Sequence, residues 1–168
     1  FGDVGIHFKC EEFSSVKKQI EDTIYEGILN RCPHCGYEGQ KDDACTHMVC
    51  LRCEEEWCYC CGKKQSEVDM PAERYLGHQS EWENNNKRCP LYLEELADED
   101  EDWPEEGNEA VAMYHQQKTC FLLRKLLEKI DKEQLRKTLE HFPGLLNGFS
   151  LQEIYGFELR PVLVGRIM

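Results

Sequence analysis

Nine of the eleven cysteines lie from Cys32 to Cys89, and their spacing constrains the fold more than any other feature of the chain. Cys32-Pro33-His34-Cys35 and Cys50-Leu51-Arg52-Cys53 are C-x2-C pairs, and Cys58 and Cys61 form a third, interrupted by Cys60. Two cysteines at that spacing sit on one tight turn and point both thiolates at a single metal. Gly36 and Gly62, just after two of the pairs, ease the turn. Cys32, Cys35, Cys50 and Cys53 together fill one tetrahedral Zn²⁺ site. A redox C-x-x-C would sit in a strand–helix context and would need no second pair nearby. A secreted disulfide framework is the other home for dense cysteines. Phe1 to Lys9 lacks the basic-then-apolar layout of a secretory signal, so the expectation is zinc in a reducing compartment, cytoplasmic or nuclear.

Cys58 and Cys61 need two further ligands. His78 and Cys89 are the only histidine and cysteine between Cys61 and the acidic run that follows, and complete a second site. Cys60 lies inside the turn, where adjacent side chains do not both reach one ion. Residues 31–90 carry little aliphatic content, so metal binding must supply folding free energy that apolar burial does not. The expected fold is a small zinc-binding α+β domain. Short β-hairpins surround two sequentially liganded Zn²⁺ ions, with an N-terminal helix and a C-terminal helical extension.

The flanks are read by pattern. Phe13, Val16, Ile20, Ile24 and Ile28 are spaced for one helix face, so residues 1–30 form an N-terminal segment and lead-in helix ahead of a zinc domain over 31–93. Ten acids and no base from Glu94 to Glu109 account for most of the net charge of −13. With Pro104 and Gly107 inside it, 94–108 reads as a solvated acidic linker. Region 109–168 is read as helical. Cys120, Leu123, Leu127 and Ile130 make one stripe with Leu126 beside it, and Leu135, Leu139 and Phe142 make another that Pro143-Gly144 ends. Ser150 and Glu153 form a capping box for a third helix. The nearly balanced remainder of the chain offers no basic footprint for nucleic acid. No stretch approaches the ~18 apolar residues of a membrane helix.

Cys45 belongs to neither ligand set. It is a spare thiol, a substitute ligand, or a nucleophile. Cys45-Thr46-His47 sets the thiol two residues from an imidazole, and in an extended segment that spacing places both on one side. A neighbouring histidine accepts or relays protons, and zinc close by favours the thiolate.

Residues 32–61 resemble the catalytic second RING of RING-between-RING ubiquitin ligases of the parkin and ariadne type. The matching elements are Cys32-Pro33-His34-Cys35, nine residues, Cys45-Thr46-His47-Met48, and Glu56-Trp57-Cys58-Tyr59-Cys60-Cys61. The resemblance extends more weakly over residues 16–90 and is absent from 91–168. It implies that Cys45 accepts ubiquitin as a thioester from a conjugating enzyme. It implies further that His47 is the general base for the attacking amine of a protein substrate, and that Glu56 orients His47.

The chain departs from the pattern at Asp43-Ala44, where many members carry two glycines, which brings a negative charge close to the thiolate. It also holds no first RING to recruit the conjugating enzyme, a task then left to the extra helices, to another chain or to a longer protein. Cys10 is expected as a free thiol. The rival expectation is a noncatalytic in-between-RING module, which shares the ligand spacing but has no use for Cys45, His47 or Glu56. A zinc scaffold presenting its helices to a partner is a further alternative.

Overall fold

The computed structural model describes residues 3–39, 41, 43–68 and 76–167, with only the backbone of 3–12 and 76. The chain divides into two compact units: residues 1–27 with 119–158, and residues 28–118 with 159–168.

The first unit is helical. It contains α1 (Asp3–Gly27), α4 (Lys132–His141), α5 (Leu151–Tyr155) and the later part of α3 (Gly107–Lys129). Its core joins Val16 and Ile20 from α1 to Leu123, Leu127, Leu135, Leu146 and Ile154. Of the apolar stripes read from the sequence, Val16, Ile20, Leu123, Leu127 and Leu135 meet here, and Ile24, Leu126, Ile130 and Leu139 pack at the edge. Ile28 does not join them. It lies one residue past the end of α1 and is half exposed. Cys10 lies in α1, with its side chain outside the described residues. Asp131 opens α4 by accepting from the Gln134 N–H, and α4 gives way at Phe142 before Pro143. Ser150 and Glu153 exchange side-chain and backbone hydrogen bonds, both 3.1 Å, at the start of α5.

The second unit is built on two short hairpins. Strands β1 (Asn30–Arg31) and β2 (Glu38–Gly39) pair antiparallel, as do β3 (His47–Val49) and β4 (Glu56–Cys58). A short helix, α2 (Leu76–Gln79), follows, then a 3₁₀ turn over Leu93–Asp98, and the unit closes with a second 3₁₀ turn over Pro161–Leu163. The fold class expected from the cysteine spacing is the one observed. Trp57, Tyr59, Leu93, Leu96, Trp103, Tyr114 and Leu163 form the core with the buried cysteines. Tyr114, from the first part of α3, donates its hydroxyl to the carbonyls of Tyr59 (3.1 Å) and Cys60 (3.0 Å), fixing that helix on the third C-x2-C turn.

Residues 94–108, read above as a solvated linker, fold into this core. Leu96 and Trp103 are buried, and the Trp103 indole donates to the Leu93 carbonyl at 2.8 Å. Asp100 accepts a charge-assisted pair from Arg160. Most of the acids stay at the surface while the interspersed apolar side chains turn inward, with Glu94 and Asp100 drawn partly into the fold, so charge density alone misreads the segment.

Candidate functional site

The three C-x2-C turns share one backbone design. In each, the residue after the second cysteine takes a left-handed φ: +77° at Gly36, +63° at Glu54 and +73° at Gly62. The N–H of that residue donates to the carbonyl of the first cysteine, at 2.9, 2.9 and 2.7 Å in turn. The first cysteine's own N–H donates to Tyr37, Glu55 or Lys63, each at 2.9 Å. Glycine takes this conformation without strain, whereas a side chain crowds its backbone. Glu54 is the exception to glycine. Replacing it, Glu54→Gly, should raise stability by roughly 0.5–1 kcal/mol, measured by denaturant unfolding of the zinc-loaded chain.

These turns bring the first ligand set together. The Sγ atoms of Cys32, Cys35, Cys50 and Cys53 lie within 4.8 Å of one another. Cys32 and Cys53 are 3.6 Å apart, as are Cys35 and Cys50. Thiolates at ~2.3 Å from one tetrahedral Zn²⁺ are separated by about 3.8 Å, so the set fits zinc. The second set is Cys58, Cys61, His78 and Cys89, again within 4.8 Å. His78 is fully buried, with Nε2 3.5 Å from the Cys61 sulfur, and one nitrogen with three sulfurs is an ordinary structural zinc donor set. The two sets follow one another along the chain. All ten described cysteines are free of disulfides. The third turn supplies only half of the second set, since His78 rides on α2 and Cys89 on a loop.

Cys45 sits outside both sets, on an extended segment held from both sides. The Ala44 carbonyl accepts from Leu93 N–H at 2.9 Å, and Thr46 N–H donates to Leu91 at 2.7 Å, so Cys45 bridges Tyr92. Thr46 is fully buried. Its hydroxyl donates to the Pro90 carbonyl, and its own carbonyl accepts from Tyr59 N–H, both at 2.7 Å. These bonds fix the backbone on each side of the thiol and leave the thiol half-buried, its sulfur 4.0 Å from the His47 carbonyl oxygen.

The charge that Asp43 brings to this loop is met locally. Its carboxylate accepts from the Cys45 N–H at 3.0 Å, which with help from Lys41 holds it below the usual aspartate range. The Lys41 ammonium lies 3.3 Å from the same carboxylate and 5.5 Å from the Tyr59 ring centre, on a side chain 5% exposed. The Asp43 charge is therefore offset by a nearly buried cation.

His47 and Glu56 come together through the β3–β4 register. Val49 pairs with Glu56 and His47 with Cys58, so His47 and Glu56 are diagonal neighbours on one face. Their side chains meet with Nε2 3.5 Å from Oε1. Burial pushes the imidazole pKa below its ordinary 6.5, against the upward pull of Glu56. The imidazole is therefore mostly neutral at pH 7 and able to take a proton. Lys41, Thr46 and Tyr92 are contributors that the sequence reading did not single out. Thr46 is only the variable spacer of its motif, and Lys41 and Tyr92 belong to none.

The chain is similar to E3 ubiquitin-protein ligase RNF217 of Xenopus laevis, 34% identical over 64 residues that make up 35% of this chain and 23% of the relative. The Mus musculus protein of that name is 30% identical over 64 residues, 35% of this chain and 12% of its own. E3 ubiquitin-protein ligase dbl4 of Schizosaccharomyces pombe is 25% identical over 130 residues, 77% of this chain and 22% of its own length. All three relatives are E3 ubiquitin-protein ligases by name. The chain spans less than a quarter of each. No family model and no solved structure matches it. Among the described residues no helix is long and apolar enough to cross a membrane.

Proposed function

We propose that this chain is the ubiquitin-accepting zinc domain of an E3 ligase of the RING-between-RING type, with Cys45 as the acceptor. The observation that carries the reading is the state of the described cysteines outside the zinc sets. Cys60 and Cys120 are buried, whereas Cys45 is partly accessible on a clamped strand, two residues from a histidine already paired with a carboxylate.

The chemistry runs in two steps. The Cys45 thiolate attacks the thioester carbonyl of ubiquitin carried by a conjugating enzyme. The new C–S bond forms at Cys45, and the conjugating enzyme's cysteine leaves as a thiolate. A substrate amine then attacks the Cys45-bound carbonyl, His47 takes the proton from the attacking nitrogen, and the Cys45 thiolate departs. Glu56 holds the imidazole in place and stabilises the imidazolium formed. The zinc ions, held by the eight ligands named above, supply folding free energy. Ubiquitin, a charged conjugating enzyme and a protein substrate are the partners this requires.

The test is loading from a charged conjugating enzyme, read on non-reducing gels. The native chain should form an adduct that thiol reagents cleave. Cys45→Ser should form one that resists them, because an oxyester replaces the thioester. Thiol-labile loading of Cys45→Ser would place the acceptor on another cysteine.

A further inference from the structure

Three of the four half-sites for zinc close on their own backbone, through the repeated bonds of the C-x2-C turns. The fourth, His78 and Cys89, has no such turn, since its members stand eleven residues apart. We infer that Arg166, on the C-terminal tail, is the positioning residue of this half-site and keeps the second zinc ion in place.

The Arg166 side chain is buried, 3% exposed, and its guanidinium is spent on main-chain carbonyls of the loop leading to Cys89. It donates to Arg88 at 2.8 Å, to Trp82 and Asn85 at 3.1 Å each, and to Val162 on its own turn. The guanidinium also lies 5.5 Å from the Trp82 ring centre. Arg88 continues the network to the other ligand. It donates to the carbonyls of Gly77 (3.3 Å) and Ser80 (2.8 Å), on either side of His78. The two arginines thus bind the backbone next to both ligands, with donors in a rigid planar fork that lysine does not reproduce.

The tail is shaped for this approach. Gly165 has a φ of +83°, and a Cβ there would come within 2.6 Å of the Asn86 side-chain nitrogen. Val162 and Leu163 anchor the turn in the core, and Arg160 pairs with Asp100. Beyond Cys89, the carbonyls of Pro90 and Leu91 are the ones that hold Thr46. The tail is therefore connected, through the second zinc half-site, to the strand bearing Cys45.

The inference rests on the zinc assignment and is independent of ubiquitin transfer. Its test is release of zinc to a chelating dye from the full chain, comparing native protein with Arg166→Ala and Arg166→Lys. Cysteine alkylation during release, mapped by mass spectrometry, shows which set opens. Groups that orient metal ligands typically alter affinity by about 10–100-fold. The expected result is one zinc ion per chain released on the order of 10-fold faster or more in Arg166→Ala, with Cys58, Cys61 and Cys89 alkylated before Cys32, Cys35, Cys50 and Cys53. The other ion should leave at the native rate, and Arg166→Lys should fall between. Two ions released from either variant at native rates would overturn the inference. Equal acceleration of both ions, with Cys32 and Cys35 alkylated as early as Cys89, would also overturn it, because a global loosening would then explain the effect. A native chain that binds fewer than two zinc ions would remove the second site itself.

Discussion

Chelation should unfold the cysteine-rich unit and shift the emission of all three tryptophans to the red. Trp57, Trp82 and Trp103 are the only tryptophans in the chain, all lie in residues 28–118, and each is at most 4% exposed. Their fluorescence therefore reports on that unit alone. Its core is made largely of cysteines and aromatic rings gathered around the two ligand sets, with hairpin strands of two or three residues. Strands so short contribute little stability of their own. Structural zinc contributes on the order of 10 kcal/mol of folding free energy in small metal-dependent domains, more than such a unit holds in reserve. The core of the helical unit contains none of the eight ligands, so most of the helical circular dichroism should persist. Tryptophan emission unchanged after complete zinc removal would contradict the assignment of the ligand sets as structural.

Replacing His47 with alanine should slow transfer of ubiquitin to an amine by roughly 10²–10⁴-fold, while loading of Cys45 changes far less. The asymmetry follows from the protons. Loading exchanges one thiolate for another, whereas aminolysis must dispose of a proton from the attacking nitrogen. The pH dependence follows from burial, which disfavours the imidazolium and lowers the His47 pKa below 6.5. A group with a lowered pKa stays neutral to lower pH, so at pH 6.5 more than half of His47 is still a competent base. Single-turnover discharge from preloaded Cys45 should therefore lose less than half its rate to His47 protonation between neutrality and pH 6.5. The steeper fall comes below that. Glu56→Gln should move this fall to still lower pH, since the carboxylate is the main group raising the imidazole pKa. Equal losses in loading and discharge for His47→Ala would assign the histidine a structural role.

The ligand sets were legible because metal geometry imposes a spacing that survives in a linear sequence. C-x2-C is the imprint of one turn around one ion, and even His78 and Cys89 could be found by completing a set of four. The helical stripes and the Ser150–Glu153 cap were legible for a similar reason, their partners lying within a few residues of each other. The fold of residues 94–108 was not. Leu96 and Trp103 are buried among acids that mostly face solvent, and no short-range period marks them. Thr46, Arg88 and Arg166 were equally silent in sequence. Each acts on main-chain carbonyls, which carry no residue identity, and for Thr46 and Arg166 these include carbonyls 44 and 78 residues away. The compensation of Asp43 by Lys41 depends on a side chain lying across the Tyr59 ring, again a contact made only in three dimensions.

The most direct measurement is reaction of the zinc-loaded chain with ubiquitin bearing a C-terminal electrophile, followed by mass-spectrometric mapping across all eleven cysteines. The probe needs no conjugating enzyme, so recruitment does not enter. A single ubiquitin adduct on Cys45, abolished by Cys45→Ala and retained in His47→Ala, is the expected result. An unmodified Cys45, or an adduct on any other cysteine of the zinc-loaded chain, would contradict Cys45 as the residue that carries ubiquitin.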